Sequence, residues 1–132
     1  MKSVFRLCQK RNRADCALAS LAMLVGCPYE EALIVAARIM PKVLKKGLFS
    51  NETILVAQHL GTHLKLRNKQ IDLEDDCGIL MLKFPNRCEH AVYLTNGLIF
   101  DSERDGEIWD AAIYVKKFRA AILHLLEEGE GE

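Results

Sequence analysis

The sequence predicts an α+β fold, with helices first and an antiparallel sheet second, on three observations. Residues 17–24 (ALASLAML) are rich in helix formers and carry a broad apolar face. From residue 63 the apolar period shortens from helical to alternating, as in His63-Leu64-Lys65-Leu66-Arg67. Asn96-Gly97 then stands between two apolar runs, the strongest short-range mark of a β-hairpin.

Taken in order, residues 6–15 read as an extended lead followed by a basic loop. A first helix over 16–25 stops at Gly26. Pro28 suits the first position of a second helix, with Glu30 and Glu31 in the first turn, where the dipole favours acids. That helix carries Ala32, Leu33, Val35, Ala36 and Ile39 and ends at Pro41; a basic linker follows over 42–47. Ser50 or Asn51 can cap a third helix over 52–60, closed by Gly61. Residues 78–84 (GILMLKF) are nearly all apolar, as expected of a central strand. Beyond the hairpin, 108–115 predicts another strand and 116–126 a last helix with His124 solvated on it. Residues 127–132 read as a solvated acidic tail, and the whole of 1–132 as one domain.

With half of its 132 residues hydrophobic, the chain can bury a core of its own. No apolar run reaches the roughly 18 residues of a membrane span, and no long apolar stretch follows the charged N-terminus as a secretory signal requires. Eighteen basic and eighteen acidic residues balance, which argues against a nucleic-acid partner. Five scattered cysteines, odd in number and without a CxxC pair, predict a reducing, cytoplasmic setting rather than a disulfide framework.

Cys16 lies in the first turn of the predicted first helix, where backbone N–H groups and the helix dipole favour a thiolate. A nucleophilic cysteine needs a base and a group to orient that base. His90 supplies a base that titrates near neutrality, and the hairpin supplies the third group. If Asn96 and Gly97 form a two-residue turn, Thr95 faces Leu98, Leu94 faces Ile99, Val92 faces Asp101 and His90 faces Glu103. His90, Val92, Ile99 and Asp101 then share one face, and Asp101 is the diagonal neighbour of His90. A slip of one residue would separate the pair.

The remaining candidates read more plainly. Cys8, Cys27 and Cys77 fall in apolar contexts and are expected in the core. Cys77, Cys88 and His90 do not have the spacing of a common zinc site, and His59 and His63 straddle Gly61, so neither a metal nor another cofactor is predicted. Trp109 is expected to close the core, with lining a substrate groove after Asp101 as the alternative. The basic loop 10–13 reads as a solvated turn, with a second use in lowering the thiol pKa or holding an acidic substrate.

These residues resemble the papain-like cysteine peptidase superfamily, closest to the bacteriocin-processing leader-peptide peptidase domains. Such domains begin with a Gln, then a short loop, then Asp-Cys-Gly heading an apolar helix, and their sheet carries a His followed by an Asp. Gln9, Asp15, Cys16, His90 and Asp101 fall on those positions. The run Leu24-Val25-Gly26-Cys27-Pro28-Tyr29-Glu30-Glu31-Ala32 resembles the family's link between its first two helices. The likeness covers roughly residues 7–118, and its specific parts are the Gln/Cys and His/Asp segments. Ala17 stands where the family has glycine, Gln9 is seven residues before Cys16, one more than the family spacing, and Ser102 follows Asp101 where proline is frequent.

The resemblance implies a papain-like cysteine proteinase fold and a peptidase acting on a peptide or protein substrate through a Cys16–His90–Asp101 triad and an acyl-thioester. Gln9 would donate to the oxyanion together with the backbone N–H of Cys16, each donor contributing roughly 2.7–4 kcal/mol. His90 would move the proton, and Asp101 would fix its tautomer. The same triad also serves acyl transfer to an amine or deamidation of glutamine. A catalytically inactive module that binds an extended peptide in the cleft is the further alternative.

Overall fold

Helix α1 (Cys16–Val25) is buried along Ala17 to Met23, almost all the way round, as its apolar composition demands. The computed structural model describes residues 15–85, 89–104 and 107–129. Gly26, at φ 85°, closes α1 in the left-handed conformation and returns its N–H to Ala22 O. Helix α2 (Tyr29–Ile39) follows with Pro28 as its cap residue rather than its first helical one, and it ends before Pro41. The expected basic linker is partly ordered into a short helix, α3 (Val43–Lys46), because Val43 buries its side chain and pulls the segment onto the core.

Helix α4 (Ser50–His59) begins two residues earlier than its sequence suggests. Phe49, not Ser50 or Asn51, is the cap position: its N–H donates to Glu52 Oε1 at 2.9 Å, while Thr53 Oγ1 donates to Phe49 O at 3.0 Å. The Ser50 hydroxyl is engaged elsewhere, 2.7 Å from His124 Nε2.

Six strands form one sheet: β1 (Leu64–Arg67), β2 (Gly78–Lys83), β3 (Glu89–Thr95), β4 (Leu98–Asp101), β5 (Glu107–Asp110) and β6 (Ala121–Glu128). Their order is β1-β6-β2-β3-β4-β5 and every pairing is antiparallel. The nearly continuous apolar run of β2 is explained by its central place between β3 and β6, with both faces covered. At Gly78 a Cβ would lie 2.3 Å from the Leu126 carbonyl oxygen, so glycine is what lets β6 approach β2 there.

Two expectations for the last third are corrected. The strand expected over 108–115 stops at Asp110, whose carboxylate accepts the Ile113 N–H at 3.0 Å and starts helix α5 (Ala111–Lys117). The helix expected over 116–126 is strand β6, lodged between β1 and β2. Its Ala, Leu and Glu residues favour a helix in isolation, but two vacant strand edges satisfy its backbone and bury Leu125 and Leu126. Glu127 and Glu128 therefore belong to β6 rather than to a solvated tail, and Glu127 accepts from Arg67 Nε at 2.9 Å; residues 130–132 lie outside the described ones.

The sheet separates two apolar layers. On one face Leu18, Leu21, Ala36 and Val56 from α1, α2 and α4 meet Ile79, Met81, Ala91 and Leu126. On the other, Leu80, Leu82, Val92, Leu94 and Ile99 pack beneath Tyr114 of α5. The architecture is thus α+β, with helices on an antiparallel sheet. Among the described residues no helix is long and apolar enough to cross a membrane.

Candidate active site

Cys16 is the first residue of α1 and is half-buried. Its Sγ accepts the backbone N–H of Ala91 on β3 at 3.4 Å. Just before it, Asp15 is fully buried; its carboxylate makes no capping bond to the helix and instead accepts the hydroxyl proton of Tyr29. The start of α1 is thereby fixed to α2 on one side and to β3 on the other.

The base comes from the same strand. Asn96 (φ 53°) and Gly97 (φ 75°) both adopt the left-handed conformation that a type I′ hairpin requires. The register that follows pairs Thr95 with Leu98, Leu94 with Ile99 and Tyr93 with Phe100, the pairing counted from the sequence. His90 and Asp101 are accordingly on one face, both buried, with Nε2 2.9 Å from Asp101 Oδ1. Asp101 Oδ1 also accepts the Glu103 N–H at 3.0 Å, and Oδ2 accepts the Tyr114 hydroxyl at 2.6 Å.

Burial alone would pull the His90 pKa down, yet the hydrogen bond to Asp101 and the neighbouring Cys16 sulfur outweigh it and push the imidazole up to about 10. With Nε2 engaged by Asp101, Nδ1 is the ring nitrogen that remains for the sulfur. The arrangement thus supplies a thiol, a base that can hold its proton, and a carboxylate that stabilises the resulting cation. Phe84 shields the ring from one side, with centroids 5.8 Å apart.

Three of the four candidate catalytic residues, Cys16, His90 and Asp101, are therefore brought together. The fourth, Gln9, lies outside the described residues, as do Cys8, Cys88 and the basic loop 10–13. Cys77 is exposed rather than in the core, its Sγ 3.9 Å from the Tyr93 hydroxyl. Cys27 is half-buried against the helix-side core, and burial, reinforced by Glu31, raises its pKa. Trp109 does pack in an aromatic cluster with Tyr114 and Phe118.

For a metal, ligand atoms of His90, Asp101 and Glu103 fall within 4.8 Å of one another. The His90–Asp101 separation of 2.9 Å is that of a hydrogen bond; two ligands on a tetrahedral zinc would stand roughly 3.3 Å apart. His59 Nδ1 is 3.1 Å from Leu55 O on its own helix.

Sequence reasoning did not find Tyr114, Tyr29 or the Ser50–His124 contact. His124 is on β6, half-buried, and its pKa is lowered by burial, which Glu89 only partly opposes. The hairpin count sets Glu103 opposite His90, but β4 ends at Asp101 and Glu103 lies in a 3-10 turn (Ser102–Arg104), with its Oε1 3.8 Å from Nε2. No known family model, curated protein or solved structure matches this chain. Function is therefore read from the chemistry of the site.

Proposed function

We propose that this chain is a cysteine peptidase-like hydrolase of papain-like fold, acting on a peptide or protein amide through Cys16, His90 and Asp101. The observation that carries the reading is the buried imidazole of His90, held 2.9 Å from the Asp101 carboxylate on the strand whose next residue, Ala91, donates its N–H to the Cys16 sulfur. A nucleophile heading a buried helix, with base and orienting carboxylate on an adjoining hairpin, is the division of labour that the papain-like resemblance implies.

In the reaction, Sγ attacks the scissile carbonyl carbon while its proton resides on His90. The carbonyl π electrons move to oxygen, and the oxyanion is received by the Cys16 backbone N–H and, by resemblance, by the Gln9 side chain. Collapse expels the amine, which takes the proton from His90 and leaves a thioester on Cys16. Water then attacks the thioester, giving its proton to His90; collapse releases the acid and returns the proton to sulfur. Asp101 holds the ring orientation through both halves. The free thiols of Cys16, Cys27 and Cys77 suit a reducing, cytoplasmic setting.

The test is iodoacetamide labelling across pH, with mass spectrometry to locate the reacting cysteine. Labelling concentrated at Cys16 and persisting below the pH at which Cys77 reacts is the expected result. Equal rates at Cys16 and the exposed Cys77 would leave the peptide-binding module as the better reading. Cleavage of a peptide library by the wild type but not by Cys16→Ala, with free carboxylate termini on the products, then separates hydrolysis from transfer to an amine, which caps that carboxylate, and from deamidation, which leaves the chain intact.

A further inference from the structure

We propose that Tyr114 is a positioning residue for His90, acting through Asp101. Asp101 is fully buried and both of its oxygens are engaged: Oδ1 by His90 Nε2 and the Glu103 N–H, Oδ2 by the Tyr114 hydroxyl at 2.6 Å. The terminal torsion of an aspartate is broad and roughly two-fold, so a carboxylate held at one oxygen can turn. Held at both, it presents Oδ1 to the imidazole in one plane.

A rival partner makes that orientation matter. Glu103 Oε1 lies 3.8 Å from the same Nε2 and its side chain is partly solvated. An imidazole released by Asp101 would find a second carboxylate within reach, and turning toward it would disturb the geometry that Asp101 sets. The Tyr114 hydroxyl biases His90 toward the buried carboxylate and against the partly solvated one.

Tyr114 is itself well placed. It is fully buried, and its ring packs against Phe118 (4.9 Å between centroids), Trp109 (5.9 Å) and Phe84 (6.3 Å). Its helix is tied at the start by the Ala111 N–H, which donates to Gly97 O at 2.9 Å. Gly97 belongs to the turn that sets the His90–Asp101 register. One turn therefore fixes the positions of both residues that grip Asp101 from its two sides.

The inference deepens the hydrolase reading and rests on it only for its catalytic meaning, because the coupling can be read on the imidazole itself. The experiment follows the His90 Nε2 proton and the His90 titration by NMR in wild type, Tyr114→Phe and Trp109→Phe, beside the Cys16 labelling profile. In Tyr114→Phe the Nε2 proton should exchange rapidly with solvent, and the titration midpoint should fall by about one pH unit, a tenfold change. Trp109→Phe keeps an aromatic ring on Tyr114 and removes no bond to Asp101, so it should match wild type. A folded Tyr114→Phe with a protected Nε2 proton, or with a midpoint at or above that of wild type, overturns the proposal. Should Tyr114→Phe not fold, Phe118→Leu loosens the tyrosine ring more gently; it should show the same loss in lesser degree, and an unchanged Nε2 proton in that folded variant is equally fatal. Absence of selective Cys16 labelling, by contrast, sinks the hydrolase reading and leaves the Nε2 measurement to decide the role of Tyr114.

Discussion

Ala91 donates its backbone N–H to the sulfur of Cys16 at 3.4 Å, and the residue before it on β3 is His90. Side chains alternate along a strand, so Ala91 faces the helix-side core while His90 shares the other face with Asp101. The nucleophile thus arrives from one face of the sheet and the charge network from the other, and β3 joins them. The relative placement of thiol and imidazole depends on how α1 is seated on β3 as much as on either side chain.

That seating gives a prediction for Tyr29. Its hydroxyl donates to the buried Asp15 carboxylate next to the nucleophile. Tyr29→Phe removes one donor and should destabilise the fold by about 1.5–3 kcal/mol, as expected for a hydrogen bond to a charged group. Thermal melting measures the loss. Because Asp15 directly precedes Cys16, the labelling rate at Cys16 should fall as well, while that at Cys77 stays constant.

Two glycines should fail for different reasons. Gly97 occupies φ 75° in the hairpin turn, and the atom nearest to an added Cβ is 3.9 Å away, so only backbone strain opposes a side chain. Gly97→Ala should cost about 1–2 kcal/mol. Gly78→Ala meets the Leu126 carbonyl oxygen at 2.3 Å and must push β6 from β2, so it should cost more than Gly97→Ala. Denaturant midpoints decide the order, and a Gly78→Ala protein as stable as wild type would show that β6 has room to move.

The His90–Asp101 contact was legible in the sequence because a two-residue turn sets register by counting, and the sum runs over only a few residues on each side of Asn96-Gly97. Helix α1 was legible because its apolar composition and its Gly26 stop agree. Strand β6 was not, since the residues that decide it are β1 and β2, at least 38 positions upstream of their partners, whereas local propensity points to a helix. Tyr114 was hidden by the same failure in milder form: a strand drawn through Asp110 gives no reason for a tyrosine to turn toward Asp101. Local rules recovered the contacts that are near in sequence, and the long-range pairings overrode them elsewhere.

The two partly or wholly buried histidines should give stability opposite slopes with pH. The folded-state pKa of His90 is raised to about 10, so the folded protein binds that proton more tightly than the unfolded chain. Its contribution is fully present below about pH 6.5 and is lost as the pH rises through about 10. For His124, burial lowers the folded-state pKa, so its contribution is present above the unfolded value and is lost as the pH falls through the depressed one. Denaturation across pH should show His90→Gln flattening the alkaline loss and His124→Gln flattening the acid loss. A His90→Gln protein with an unaltered alkaline limb would mean that the imidazolium is not the stabilised form.

The sharpest separation of charge from orientation comes from Asp101. Asp101→Asn keeps the shape but offers only one oxygen where the carboxylate offered two to the donors of His90, Glu103 and Tyr114. The amide fits if its oxygen takes the His90 and Glu103 side and its NH2 faces Tyr114, whose hydroxyl can turn from donor to acceptor. The ring would then remain oriented while the negative charge is gone. With the ring still oriented, Asp101→Asn should retain measurable Cys16 labelling. Asp101→Ala removes the acceptor and should lose most of it, and His90→Ala nearly all. Melting curves must first show that each variant is folded, because Asp101→Ala leaves the buried Tyr114 hydroxyl with one partner fewer. Adding Tyr114→Phe to Asp101→Asn removes the acceptor that the amide NH2 needs, and labelling should drop below that of Asp101→Asn alone. Labelling at the wild-type rate in all of the folded variants would show that this network does not activate the thiol.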